Sequence, residues 1–199
     1  MTVVCESGQQ LAYHTGWAAQ FPVKDLIRHG LIDKTSGQAA TVAALLRYFG
    51  VSSPDAWESQ WAAAAVAFRG SRTYESSPFA AAAWLRWGEL LAKEIETHPY
   101  SPRQLRSVLQ GIRPLTRREI ALTRERIEGL FASAGVALVM TPELSNLRLS
   151  GAARWRPKNR IAKPTLTVRP DWLENREGQR TRAKSPGNTI CAERRPEAV

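Results

Sequence analysis

Cysteine is scarce in this chain. Its 199 residues hold two, Cys5 and Cys191, near opposite ends and without a CxxC spacing, which excludes a disulfide framework and a cysteine zinc cage. Long apolar runs are missing too. The stretches 61–68 and 79–85 are short and mostly alanine, far below the roughly 20 residues that cross a bilayer as a helix. The start Met1-Thr2-Val3-Val4-Cys5-Glu6 has neither the basic beginning nor the apolar core of a signal peptide. These shortages predict a cytoplasmic protein with no membrane partner.

The residues of common catalytic centres are equally sparse. Zinc hydrolysis needs two histidines one helical turn apart with a general-base glutamate between them. The three histidines, His14, His29 and His98, are isolated from one another. There is no GxSxG elbow and no GxxxxGK[ST] or GxGxxG phosphate cradle, so nucleophilic and nucleotide chemistry lack their usual supports. Glu89 and Glu96 offer a carboxylate pair on the third helix expected below, but Lys93 stands four residues from Glu89 and favours a solvated surface pair. The expectation is therefore no catalytic residue, no metal, no cofactor and no enzyme activity.

What the chain does have is apolar patterning and positive charge. Hydrophobic residues make up 43%, enough for one core, and the net charge of +10 with a pI near 10.3 favours acidic or polyanionic partners. Residues 1–150 carry a net +3 and residues 151–199 a net +7, so the basicity belongs to the C-terminal quarter. Within it Arg154, Arg156, Lys158, Arg160 and Lys163 surround Trp155. Cations around an aromatic can track a phosphate backbone while stacking on a base, which makes these six the candidate nucleic-acid-binding residues. Arg113, Arg117, Arg118, Arg124 and Arg126 form an earlier cluster that Glu119, Glu125 and Glu128 partly neutralise.

Between about residues 38 and 134 the apolar spacing is helical. The first segment runs Ala39, Val42, Leu45, Leu46, Phe49 and stops at Gly50, a natural left-handed terminator. The next three open on Ser53-Pro54, Ser77-Pro78 and Ser101-Pro102, each pairing a capping hydroxyl with a proline at the first helical position. Their stripes are Trp57, Trp61, Ala64, Ala65, Phe68; Ala80, Trp84, Trp87, Leu91, Ile95; and Leu105, Val108, Leu109, Ile112. The third helix should end near Thr97-His98-Pro99. A fifth spans 116–134, with Ile120, Ile127, Leu130 and Phe131 closing at Gly135. The tryptophans on these stripes read as core.

Beyond Gly135 the texture turns β-prone. Val136-Ala137-Leu138-Val139-Met140 is a first strand, Leu147-Arg148-Leu149 with Ala152 to Trp155 a second interrupted at Gly151, and 161–168 a third that Pro164 should confine to an edge. The fold class expected is α+β, mainly α: a bundle of about five helices, then a small incomplete antiparallel sheet and a disordered basic tail. The domains expected are an N-terminal linker at 1–36, a helical domain at 37–134, a partial sheet at 135–169 and the tail at 170–199, too poor in apolar residues to order itself. Residues 23–49 also admit a short helix-turn-helix with Gly30 in the turn and Gln38, Thr41 and Arg47 as base readers.

Several multi-residue blocks carry a family resemblance. Phe21-Pro22-Val23-Lys24-Asp25-Leu26-Ile27, Leu46-Arg47-Tyr48-Phe49-Gly50-Val51, Ser53-Pro54-Asp55-Ala56-Trp57-Glu58-Ser59-Gln60-Trp61 and Ala65-Val66-Ala67-Phe68-Arg69 come first. Ala82-Ala83-Trp84-Leu85-Arg86, Gly88-Glu89, Ala134-Gly135-Val136-Ala137-Leu138-Val139, Pro142-Glu143-Leu144 and Leu149-Ser150-Gly151-Ala152-Ala153-Arg154-Trp155 follow. In this order they resemble the middle of HigA-type antitoxin regulators that join an XRE helix-turn-helix to an ImmA/IrrE metallopeptidase-like domain, over roughly residues 17–155. The resemblance implies toxin-antitoxin or transcriptional control and a protein partner, either a toxin or a second copy. It breaks at both working ends. Only about twenty residues precede Phe21, too few for the DNA-binding domain, and no His-Glu-x-x-His follows Trp155. A truncation or reading-frame change after Trp155 is the expectation, leaving a catalytically silent regulator. The alternative is a non-specific nucleic-acid-binding module working through the basic C-terminal quarter.

Overall fold

The computed structural model describes residues 8–62, 77–115, 124–147, 149, 151–158, 161–168 and 190–192. The described residues are mainly helical with a small sheet, and the chain divides into two compact units: residues 1–86 with 143–148, and residues 87–142 with 149–199.

In the first unit, helices α1 (Gly8–Ala18) and α2 (Val23–Arg28) precede α3 (Gln38–Phe49), and α4 (Pro54–Trp57) runs on into a π-helical turn, Glu58–Ala62. The opening residues of α5 (Pro78–Ala92) complete it. Local chemistry accounts for the ends. Gly50 adopts φ 71°, and the N–H groups of Gly50 and Val51 close back on the carbonyls of Arg47 and Leu46, the paired bonds of a glycine-terminated helix. Ser53 Oγ accepts the Ala56 N–H at 3.1 Å and Ser77 Oγ that of Ala80 at 3.3 Å. The core is aromatic: the ring of Phe21 meets those of Trp17, Phe49, Trp57 and Phe79, mostly edge-on, with centroids 4.8 to 5.3 Å apart. Edge contacts suit the negative faces and positive edges of such rings. Residues 1–36, expected as a linker, thus supply Trp17, Phe21 and Leu26 to this core.

The region expected as a helix-turn-helix has a different geometry. Residues 29–37 separate α2 from α3, where that motif uses a turn of about three or four residues. The Thr41 hydroxyl is engaged by Thr35 at 2.7 Å and by the Gly37 carbonyl at 3.0 Å.

The second unit holds the end of α5, α6 (Pro102–Leu115), α7 (Arg124–Ser133) and four strands: β1 (Ala137–Met140), β2 (Gly151–Lys158), β3 (Ile161–Val168) and β4 (Ile190–Ala192). Ser101 Oγ accepts the Gln104 N–H at 3.3 Å, so the third Ser-Pro start also caps its helix. The first half of the expected fifth helix lies outside the described residues, as does the continuation of the second beyond Ala62. The third helix stops at Ala92 rather than near Thr97, and Leu91 is exposed.

The sheet is mixed, a correction to the antiparallel expectation. Its order is β1-β3-β2-β4, with β1 parallel to β3, β2 antiparallel to β3 and β4 parallel to β2. The β2–β3 hairpin is local, but β1 joins beside β3 rather than beside its successor in sequence. Pro164 does not confine its strand to an edge as expected: β3 lies between β1 and β2, with Pro164 opposite Trp155 of β2 and just before the Thr165 to Val168 stretch that pairs with β1. The second strand begins at Gly151, and Leu147 lies in a turn of the first unit. The tail expected as disordered contributes β4 at Ile190–Ala192, and its remaining residues fall outside the described set.

All four residues of β1 are buried, which explains an apolar run without alternation: both faces are covered. Leu138 and Met140 pack with Ile112, Ile127, Phe131 and Val168, whereas Ala137 and Val139 pack with Ala92. The second face is lined by small residues. A Cβ on Gly88 would collide with the Thr167 hydroxyl and lie 2.9 Å from its Cγ2, so glycine is what lets α5 approach the sheet.

Candidate functional site

Five of the six candidate residues lie on β2 and β3. Arg154 does not reach outward. Its guanidinium donates to Glu89 Oε1 of α5 at 2.8 Å, and the two side chains are only 18% and 13% exposed. The arginine is thus matched inside the second unit, where a bare charge is costly. Trp155 is half-buried and meets Tyr100 edge-on, with ring centroids 5.0 Å apart and planes at 86°. Arg154 is therefore engaged by a carboxylate rather than standing as an open cation beside Trp155. For Arg156, Lys158 and Lys163 the backbone register sets Arg156 opposite Lys163 and Lys158 opposite Ile161. Arg160 lies outside the described residues.

The carboxylate reading changes in the same way. Glu89 is the partner of Arg154, whereas Glu96 is exposed in the extended segment after α5. No acid-base pair of Glu89 with Glu96 is assembled. Trp57, Trp61, Trp84 and Trp87 are all buried, in keeping with core packing. Among the described residues no group of three His, Cys, Asp or Glu side chains is placed to hold a metal ion, and no helix is long and apolar enough to cross a membrane.

Asp25 is a buried charge that sequence reading passed over. It sits in α2, accepts the Ser145 backbone N–H at 2.6 Å and pairs with Arg28 at 2.8 Å. Burial pushes its pKa up, but hydrogen bonds from the Ser145 side chain and backbone, with the charges of Arg28 and His29, outweigh burial and hold the carboxyl below its ordinary range. The Arg28 pair is local at i, i+3, but nothing in the spacing signalled the Ser145 bond, whose partners are 120 positions apart.

A second feature is the solvent face of α6. It contains no acidic residue and is the most amphipathic of the described helices. Leu105, Val108 and Ile112 face the core, while Arg103, Gln104, Arg106, Ser107 and Gln110 are exposed beside Leu109, which is 49% exposed. The signal was legible as arginines three residues apart on a helix without a counter-charge.

Compared with known proteins, the chain matches no family model, no curated protein and no solved structure.

Proposed function

We propose that this chain is a catalytically silent regulator, similar to the central part of HigA/ImmA-like antitoxins, that acts by binding a protein partner in toxin-antitoxin or transcriptional control. One observation carries the reading. Polar side chains of the blocks that bear the resemblance bond to backbone or side-chain groups far along the chain. In the first unit Asp25 holds Ser145, next to the Pro142-Glu143-Leu144 block; Tyr48 donates to the Ala83 carbonyl at 2.8 Å, and Arg86 donates back to the Tyr48 carbonyl at 2.9 Å. In the second unit Glu89 takes Arg154.

Groups engaged in this way brace a framework. Reactive acids and nucleophiles are instead left open to a cleft with room for a substrate. The blocks therefore support the role of a packed scaffold that presents a surface, and partner binding is the function such a scaffold serves.

The test is to purify the chain from its own cells and identify any protein that accompanies it in stoichiometric amount. The expected partner arrests growth when expressed alone and is silenced when this chain is co-expressed. A chain that purifies alone, or a partner whose toxicity it leaves untouched, overturns the reading. Stoichiometric zinc, or peptide cleavage that stops on adding a chelator, overturns the catalytic silence.

The alternative, non-specific nucleic-acid binding by the C-terminal quarter, is favoured by the β2–β3 register. Residues 151–168 contain no Asp or Glu, and like charges stand opposite each other at Arg156 and Lys163, an arrangement that by itself weakens a strand pair. Affinity for duplex DNA that falls steeply with salt, and is reduced by Arg156→Gln with Lys163→Gln, would select this reading; affinity indifferent to both would remove it.

A further inference from the structure

We infer that the outward face of α6 is the surface that takes an acidic, amphipathic segment of a protein partner, a proposal that rests on the partner-binding reading and names its site. Pro102–Leu115 is fixed to the second unit by a narrow stripe, Leu105, Val108 and Ile112, against the core of Ile127, Phe131 and Met140. Its other described side chains, up to Gly111, face solvent. On that side Arg103 and Arg106 stand one helical turn apart, about 5 to 6 Å between Cβ atoms, with Gln110 beyond them and Leu109 at their edge.

Among the residues of α6 itself the charges are all of one sign, because the helix has no Asp or Glu. On α7, Glu128 is already taken by Arg124 at 2.6 Å. Complementarity therefore calls for carboxylates, which arginine holds through two parallel hydrogen bonds.

Leu109 decides between a protein and a nucleic acid. A phosphate backbone offers an exposed leucine nothing, whereas a helix or loop bearing both carboxylates and aliphatic side chains would cover Leu109 and pair with Arg103 and Arg106 together. Partner helices are commonly read through such an apolar contact with a charged flank.

The experiment measures fluorescence anisotropy of a labelled peptide carrying Glu and Leu at helical spacing, and of a short labelled DNA duplex, against the full chain. The wild-type chain is expected to bind the peptide with an affinity that drops with salt. Arg103→Glu with Arg106→Glu should weaken binding at least about tenfold, or about 1.4 kcal/mol, and Arg103→Gln with Arg106→Gln by an intermediate factor. Leu109→Ser should weaken it about threefold while leaving the salt dependence unchanged. All three positions are exposed, so unchanged thermal melting shows that the variants are folded. Absence of peptide binding, equal binding by the charge-reversed chain, or tighter binding of the duplex through the same arginines would each overturn the assignment. Loss of toxin silencing in the growth test concerns the regulator reading; silencing that survives charge reversal removes only the α6 surface.

Discussion

Replacing Asp25 should lower stability at neutral pH and take with it a defined part of the acid response. The carboxylate is buried and accepts a short bond from the Ser145 N–H. Asp25→Ala leaves that N–H without its charged acceptor, a loss of about 1.5 to 3 kcal/mol for a hydrogen bond to a charged group. The Arg28 pair adds little, since the arginine side chain is 65% exposed and screened by water. For a chain of this length about 2 kcal/mol corresponds to a fall of roughly 4 to 8 °C in Tm.

The sign of the pH effect follows from the direction of the shift. The folded-state pKa lies below the ordinary carboxylate value, so the unfolded chain binds the proton first. The stabilisation is complete above the unfolded value of about 3.9 and disappears as pH falls through the lower folded value. Urea unfolding followed by tryptophan fluorescence, with Trp17 and Trp57 reporting from the same unit, measures wild type and Asp25→Ala at several pH values from 7 to 2.5. The difference between the two should be constant above about pH 5 and shrink steadily below pH 4. A difference that is absent at pH 7, or that stays constant down to pH 2.5, refutes the argument.

Three further outcomes follow from the packing. Glu89→Ala strands the largely buried Arg154 and should cost about 3 kcal/mol, whereas Arg154→Met combined with Glu89→Leu should recover most of it; equal losses in the single and double variants by urea melting would contradict the pair. Gly88→Ala forces a methyl group into Thr167 and should cost about 1 to 3 kcal/mol, relieved in part when Thr167→Ala is added, as a double-mutant cycle would read. Gly135→Ala should be at least as costly and have no such rescue. Gly135 has φ 81°, and a Cβ there would meet the Tyr100 backbone and lie 2.7 Å from the Pro99 carbonyl carbon, none of which can repack.

Local signals carried much of the helical half. The serine-proline starts at 53, 77 and 101 and the glycine stops at 50 and 135 are short-range chemistry: a hydroxyl meets an N–H three residues on, and a glycine reverses the chain. The apolar stripes likewise named Trp57, Trp61, Trp84 and Trp87 as core, because burial of a large ring follows from its place on an amphipathic helix. The third helix ran shorter than its pattern, because Leu91 and Ile95 continue an apolar spacing that the backbone leaves after Ala92. The π-helical turn after Trp57 had no local warning.

Strand partnership and the fate of each charge were decided only in three dimensions. Residues 136–140 read as a strand from their composition, but which strand they join depends on where the intervening chain returns, and Ala137–Met140 join β3 in parallel. Arg154 and Arg103 look alike as letters in a basic sequence. One is neutralised by Glu89 within the second unit; the other stands exposed on α6. The sequence alone determined that the chain builds capped amphipathic helices and carries an excess of positive charge, since both are properties of neighbours and of sums. Tertiary structure alone determined which of those charges hold the protein together and which face solvent, because burial and ion pairing are set by residues brought close from far along the chain.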